Sequence, residues 1–244
     1  MRAVIILVLG FAAMSCDVGG RDEVLVSAAA SLALPFAEMA EQFEEAHPEI
    51  DVVLNTGSSS SLRDQIVEGA SVDVYASADT FNMEVVVDAG LLDGAPVVFA
   101  TNRMLIAVPR GNPAGVSGLG DLARPELFIG LCAEGVPCGD LARVVLTREG
   151  IEAAVDTNEP DVRSLLTKIE AGELDAGIVY ASDVVSAGGA VEGVEFEEAD
   201  PVVTEYPIGV VAGAKDVAVA DAFICFVTSD RGRAILADHG FSQP

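Results

Sequence analysis

Ser58-Ser59-Ser60-Ser61-Leu62-Arg63-Asp64-Gln65 follows the strand-like run Val52-Val53-Leu54 and opens a helical pattern with Leu62, Ile66 and Val67 on its inner face. A strand, a few small polar residues and a helix start aim unpaired backbone N–H groups and the positive end of a helix dipole at one spot. An anion can sit at such a spot. Three further segments of the chain repeat the same grammar, so the stretch decides the fold class as well as the chemistry.

Upstream, Glu23-Val24-Leu25-Val26-Ser27-Ala28-Ala29-Ala30 is apolar on both faces, as a buried strand of a parallel sheet is. Ser31 follows as an N-cap candidate. Leu32, Phe36, Met39, Ala40 and Phe43 then recur at helical spacing against Glu38, Glu41, Glu44 and Glu45, with Pro35 in the first turn and His47-Pro48 as the stop. Downstream, Val72-Asp73-Val74-Tyr75-Ala76 is a third strand, and Asp79-Thr80 caps a helix running to Ala89-Gly90. Two extended apolar runs, 96–100 and 104–109, precede a loop punctuated by Gly111, Pro113, Gly115, Gly118 and Gly120, which reads as the crossing into a second lobe.

In that lobe Leu127-Phe128-Ile129-Gly130-Leu131 is a strand, and Pro137-Cys138-Gly139-Asp140 leads into a helix over 141–149. Asn158-Glu159-Pro160-Asp161-Val162 leads into another with Leu165, Leu166 and Ile169 inward. Asp175-Ala176-Gly177-Ile178-Val179-Tyr180 is a strand with Tyr180 at its carboxyl end. Residues 205–211 return to the first lobe, where 217–226 and 232–237 supply closing helices. This alternation predicts a doubly wound α/β structure with ligands at the carboxyl ends of its strands.

The chain has 244 residues, 51% of them hydrophobic, which is enough to bury a sizeable core. Its formal charge of −26 repels nucleic acid and anionic headgroups and argues against either as a partner. An anionic ligand survives the same objection, because repulsion between exposed charges fades beyond about 8 Å at physiological salt and a dry pocket of dipoles acts locally. Residues 1–15 carry a single charge, Arg2, ahead of a short apolar stretch, and read as an export signal rather than a membrane span. Ala13-Met14-Ser15-Cys16 resembles a lipoprotein signal-peptidase box, with Cys16 as the lipid attachment point and 16–22 as a tether. The alternative is a simple secretory signal with an incidental cysteine. On either reading the mature protein lies outside the cytoplasm, held to the membrane by at most a lipid.

Cys132 and Cys138 flank a loop composition, Ala133-Glu134-Gly135-Val136-Pro137, and an oxidising compartment allows them to close a small disulfide ring. A metal site is the rival reading, a poor one with no histidine nearby. Cys225, within Phe223-Ile224-Cys225-Phe226, is expected as a buried free thiol.

Six motifs, taken in order and spacing, resemble the molybdate-binding proteins that feed ABC importers. They are Ser27-Ala28-Ala29-Ala30-Ser31-Leu32, Gly57-Ser58-Ser59-Ser60-Ser61-Leu62, Val72-Asp73-Val74-Tyr75-Ala76-Ser77-Ala78-Asp79, Val136-Pro137-Cys138-Gly139, Pro160-Asp161-Val162-Arg163 and Gly177-Ile178-Val179-Tyr180-Ala181-Ser182-Asp183. The resemblance implies a two-lobed type II periplasmic-binding-protein fold, each lobe a mostly parallel sheet flanked by helices. Its lobes would be 23–98 with 205–244, and 99–204, closing by a hinge near Phe99 and Glu205. It further implies molybdate or tungstate as ligand, bound by the side chains of Ser31, Ser59 and Tyr180 and by the backbone N–H groups of Cys138 and Val162. No cofactor is implied, a membrane permease is the partner, and a monomer is expected. The family commonly has Ala where Cys138 stands, a change that leaves a backbone contact intact.

Uncharged donors suit this ligand. A fully ionised dianion has no proton to offer, so every bond comes from the protein, and a fixed ring of hydroxyl and N–H donors selects by size where an arginine would accept many anions. Sulfate and phosphate remain the alternative ligands on physics alone. Asp73, Asp79 and Asp183 read as caps and turn formers. An enzyme is disfavoured: His47 and His239 are the only histidines, and no Gly-x-Ser-x-Gly, His-Glu-x-x-His or Ser-x-x-Lys motif supplies a nucleophile with its base. A ferric site would need more than Tyr75, Tyr180 and Tyr206.

Overall fold

The computed structural model describes residues 21–196 and 202–244; the stretch read as an export signal, Cys16 and nearly all of the expected tether lie outside them. The chain runs β1 (Asp22–Ala29), a 3-10 turn (Ala30–Leu32), α1 (Ala33–Ala46), β2 (Ile50–Gly57), α2 (Ser59–Val67), β3 (Val74–Ala76), α3 (Thr80–Asp88) and β4 (Leu92–Pro109). It continues through a second 3-10 turn (Leu119–Ala123), β5 (Ile129–Cys132), α4 (Pro137–Arg148), β6 (Val155–Glu159), α5 (Val162–Glu170), β7 (Ala176–Tyr180), α6 (Ala181–Ser186) and β8 (Val191–Val194). It closes with β9 (Val203–Val211), α7 (Val217–Thr228) and α8 (Asp230–Asp238).

The strand order is β2-β1-β3-β9-β4-β7-β5-β6, with β8 pairing β4. Two parallel trios, β2-β1-β3 and β7-β5-β6, form the centres of the two lobes. Between them run the long β4 and β9, each antiparallel to its neighbours. β4 pairs β9 from Leu92 to Arg103, with register shifts before Val97 and Ala100, and then pairs β7 over Met104–Ala107. Bulges of this kind bend a strand, and here they turn one continuous strand from the first lobe into the second. The sheet is thus mixed where it joins the lobes and parallel inside each.

Parallel strands covered on both faces must be apolar throughout, and the last four residues of β1 and all of β7 are buried. α1 lays Phe36, Met39 and Phe43 onto the first trio, where Phe43 meets Phe223 of α7 edge-on at 5.4 Å. In the second lobe Leu165, Leu166 and Ile169 of α5 are fully buried.

Several expectations need correction. Ser31 caps no helix: it lies inside the 3-10 turn, and α1 starts two residues later without a side-chain cap. α4 begins at Pro137 rather than at 141, because proline is well tolerated in a first helical turn. Cys225 is exposed, not buried. Phe223 and Val227 hold the inward face of α7, and a residue two positions from each is turned roughly 200° away. β6, α6 and β8 were not anticipated: Val155-Asp156-Thr157-Asn158-Glu159 has no apolar run, α6 has six residues, and β8 has four with Gly193 inside.

Candidate functional site

The carboxyl ends of β1, β2, β3 and β7 and the starts of α2, α4 and α5 meet at one cavity between the lobes. Ser31, Ser59, Cys138, Val162 and Tyr180, distant in sequence, all line it, together with Ser58, Ala78, Val136, Pro137, Asp161 and the turn at Ala29, Ala30 and Gly57. Its cavity volume of about 20 Å³ falls far below the ~300–1,000 Å³ of pockets for drug-sized molecules. A small ion fits; an extended organic ligand does not.

Each donor is prepared by its local structure. Ser58 is the N-cap of α2, and its hydroxyl accepts from the Ser61 N–H at 3.2 Å. That places Ser59 at the first helical position, 1% exposed. Ser59 Oγ accepts from the Ala78 N–H at 2.9 Å, so its own proton remains available for the cavity. In α4 the first residue is Pro137, which has no N–H, and the Gly139 and Asp140 N–H groups both donate back to the Val136 carbonyl. Cys138 is therefore the residue of that turn whose N–H is left over. The turn is also tight: a Cβ on Gly139 would overlap the carbonyl oxygens of Ala133 and Cys132. The Cys132–Cys138 disulfide ties the end of β5 to this turn across a Cα separation of 5.8 Å. Val162 opens α5, whose cap Asp161 accepts from the Ser164 N–H at 2.8 Å. Its N–H is the first of that helix and has no acceptor within it.

Tyr180 ends β7. Its phenolic oxygen is buried without a hydrogen-bond partner, the one such side-chain atom among the described residues. Burial holds the phenol well above its ordinary pKa, so it stays a donor.

None of the residues lining the cavity is lysine, arginine or histidine. Asp161 lines it, with one carboxylate oxygen committed to its cap bond. Asp79 caps α3 through the Asn82 N–H at 2.8 Å. Asp183 accepts from the Tyr180 N–H at 2.9 Å, and Asp73 binds the Leu25 and Lys215 N–H groups. Burial raises the pKa of Asp79 and pushes that of Asp183 up to about 7, lowering the negative charge beside the cavity below neutral pH. No group of three or more His, Cys, Asp or Glu that could hold a metal ion occurs among the described residues. The arrangement offers hydroxyls, N–H groups and helix starts from both lobes, which suits a small anion.

Sequence reasoning missed Tyr206, whose phenol lies 3.0 Å from Ser31 Oγ. Nothing local marks it, since its role depends on β9 running beside β3, one strand from β1, which brings Tyr206 to Ser31.

The chain matches the model of the bacterial extracellular solute-binding proteins over residues 24–242. It is 40% identical to the molybdate-binding protein ModA of Mycobacterium tuberculosis H37Rv over 225 residues, 92% of this chain and 86% of that one. It is 29% identical over 236 residues to a putative ABC transporter substrate-binding lipoprotein, YvgL, of Bacillus subtilis, covering 93% of this chain and 89% of the other. The periplasmic molybdate-binding protein of Azotobacter vinelandii superposes with a TM-score of 0.80 at 21% identity, covering 91% of this chain and 99% of that one. Fold, cavity and relatives agree: this chain belongs to the bacterial extracellular solute-binding protein family.

Proposed function

We propose that this chain captures molybdate, and tungstate with it, outside the cytoplasm and delivers it to the membrane permease of an ABC importer. The observation that carries the reading is the Tyr180 hydroxyl, buried and unpartnered at a cavity where other uncharged donors converge. A buried O–H without an acceptor is a cost that a bound oxyanion removes. Ser31 and Ser59 contribute hydroxyls, and Cys138 and Val162 contribute backbone N–H groups. These five bind a tetrahedral dianion that has no proton of its own. The molybdate-binding relative at 40% identity supports this ligand over other oxyanions. Size separates molybdate from the smaller sulfate; it does not separate molybdate from tungstate.

The lobes, 23–98 with 205–244 and 99–204, close by a hinge where β4 and β9 cross. The ligand favours the closed form because it touches both sides. Cys16 takes the lipid that holds the protein at the membrane, a reading supported by the lipoprotein relative, and the protein works as a monomer.

Thermal melts of the anion-free protein with each of four anions test the reading. Molybdate and tungstate raise Tm, and equimolar sulfate and phosphate do not. Equal shifts from sulfate would refute it.

A further inference from the structure

The two strands that cross between the lobes carry three buried polar side chains that hydrogen-bond at or near residues of the cavity, and one of them meets a cavity hydroxyl directly. Thr204 of β9 donates to the Ala78 carbonyl at 2.6 Å, and the Ala78 N–H in turn holds Ser59 Oγ. Asn102 of β4 donates to Ser182 Oγ at 2.8 Å, two residues beyond Tyr180. Tyr206 of β9 reaches Ser31 Oγ at 3.0 Å.

Tyr206 differs from the other two in meeting site residues of both lobes. Its hydroxyl contacts Ser31 at the end of β1, and its ring lies 6.0 Å from the ring of Tyr180, inclined at 72°. Phe99 and Phe241 hold it edge-on from other sides, at 6.4 Å and 5.2 Å, and it is 0% exposed. A ring so enclosed has one place to put its hydroxyl.

The direction of the Tyr206–Ser31 bond follows from what the cavity must hold. A bare oxyanion accepts and never donates, so the Ser31 proton has to point at it. Ser31 Oγ is then an acceptor towards Tyr206, and the phenol is the donor. Burial keeps that phenol protonated. If the phenol were absent, the serine proton would be free to turn towards the Ala29–Leu32 turn.

We propose that Tyr206 is a positioning residue for anion capture: its hydroxyl orders the Ser31 proton towards the ligand, while its ring sets Tyr180 opposite. The proposal rests on the function given above. It makes the crossing strand a structural backing for donors of both lobes, so the strand that bends at closure also carries the group that readies the site.

The test measures molybdate affinity by calorimetry for the parent, Tyr206→Phe, Ser31→Ala and the double variant, with apo Tm recorded for each. Tyr206→Phe keeps the ring and is expected to bind roughly 10-fold more weakly. Because Tyr206 acts through Ser31, the double variant should match Ser31→Ala within about 2-fold. A tyrosine serving only the core would change apo Tm and leave affinity alone. If the parent binds molybdate and Tyr206→Phe binds equally well, or if its loss adds in full to that of Ser31→Ala, the inference falls and the function stands. If the folded parent binds no molybdate, both fall. Should Tyr206→Phe not fold, Tyr206→Met, alone and combined with Ser31→Ala, takes its place and is read by the same outcomes.

Discussion

The Ala78 N–H and Ser59 Oγ are 2.9 Å apart, and the Tyr75 phenol donates to the carbonyl of the same serine at 2.8 Å. Ser59 is therefore fixed from two sides, and its hydroxyl proton has no assigned acceptor but the cavity. Ser59→Ala removes that donor and also strands the buried Ala78 N–H. The apo protein should lose about 1–3 kcal/mol and melt several degrees lower. Molybdate affinity should fall roughly 10- to 100-fold, one hydrogen bond to a charge being worth about 1.5–3 kcal/mol. Calorimetry and a melt check both, and an unchanged affinity removes Ser59 from the site.

Tyr180→Phe should separate these two effects. The phenolic oxygen has no partner in the unliganded cavity, so deleting it leaves nothing unpaired. Apo Tm should hold or rise, while affinity for molybdate drops by a factor like that of Ser59→Ala. A Tm as low as that of Ser59→Ala would mean that the hydroxyl serves the fold instead.

The contrast between these two residues shows what could be read from the chain. The serine run, the Pro137-Cys138 turn and the Asp161-Val162 turn carry local signals, because helix starts are written in caps and prolines within a few residues. The strand-helix alternation carried the architecture in the same way. Tyr206 and Ala78 carry no such signal: one is a tyrosine in a return strand, the other an alanine between Ser77 and Asp79, and only the pairing of β9 beside β3 brings them to the site. Cys225 was misjudged for a related reason. Its neighbours Ile224 and Phe226 look like core, but the face of α7 was set by Phe223 and Val227.

Replacing both cysteines of the bridge tests how much of the site is held by covalent closure. Cys132→Ala with Cys138→Ala opens a ring spanning a sequence separation of six, worth about 2 kcal/mol through the unfolded chain. Tm should fall by roughly 4–8 °C. Affinity should fall only a few-fold, because the donor at position 138 is the backbone N–H and Arg143 still clamps the Cys132 and Gly139 carbonyls at 2.8 and 2.9 Å. Undiminished stability would show that the bridge restrains nothing.

Asp183 gives the protein a pH dependence with a definite sign. Its carboxyl is buried and its pKa rises to about 7, against an ordinary value of 3.8, chiefly because burial penalises the charge. The N–H of Tyr180 and the charge of Arg163 oppose that rise, and the charge of Asp161 adds to it. Between about pH 4 and pH 7 the folded chain holds a proton that the unfolded chain has released, so stability declines as pH rises through that window and levels off above it. The slope from this one group is at most ~1.4 kcal/mol per pH unit. Ionised Asp183 also places a negative charge next to Tyr180, so molybdate should bind more weakly at pH 8 than at pH 6. Asp183→Asn should flatten both trends. The 39 acidic residues of a chain carrying −26 repel one another more as pH rises, which is why the comparison must be with that variant and not with a theoretical curve. Melts and affinities at several pH values decide it: parallel curves for parent and variant would mean that Asp183 does not titrate in this range.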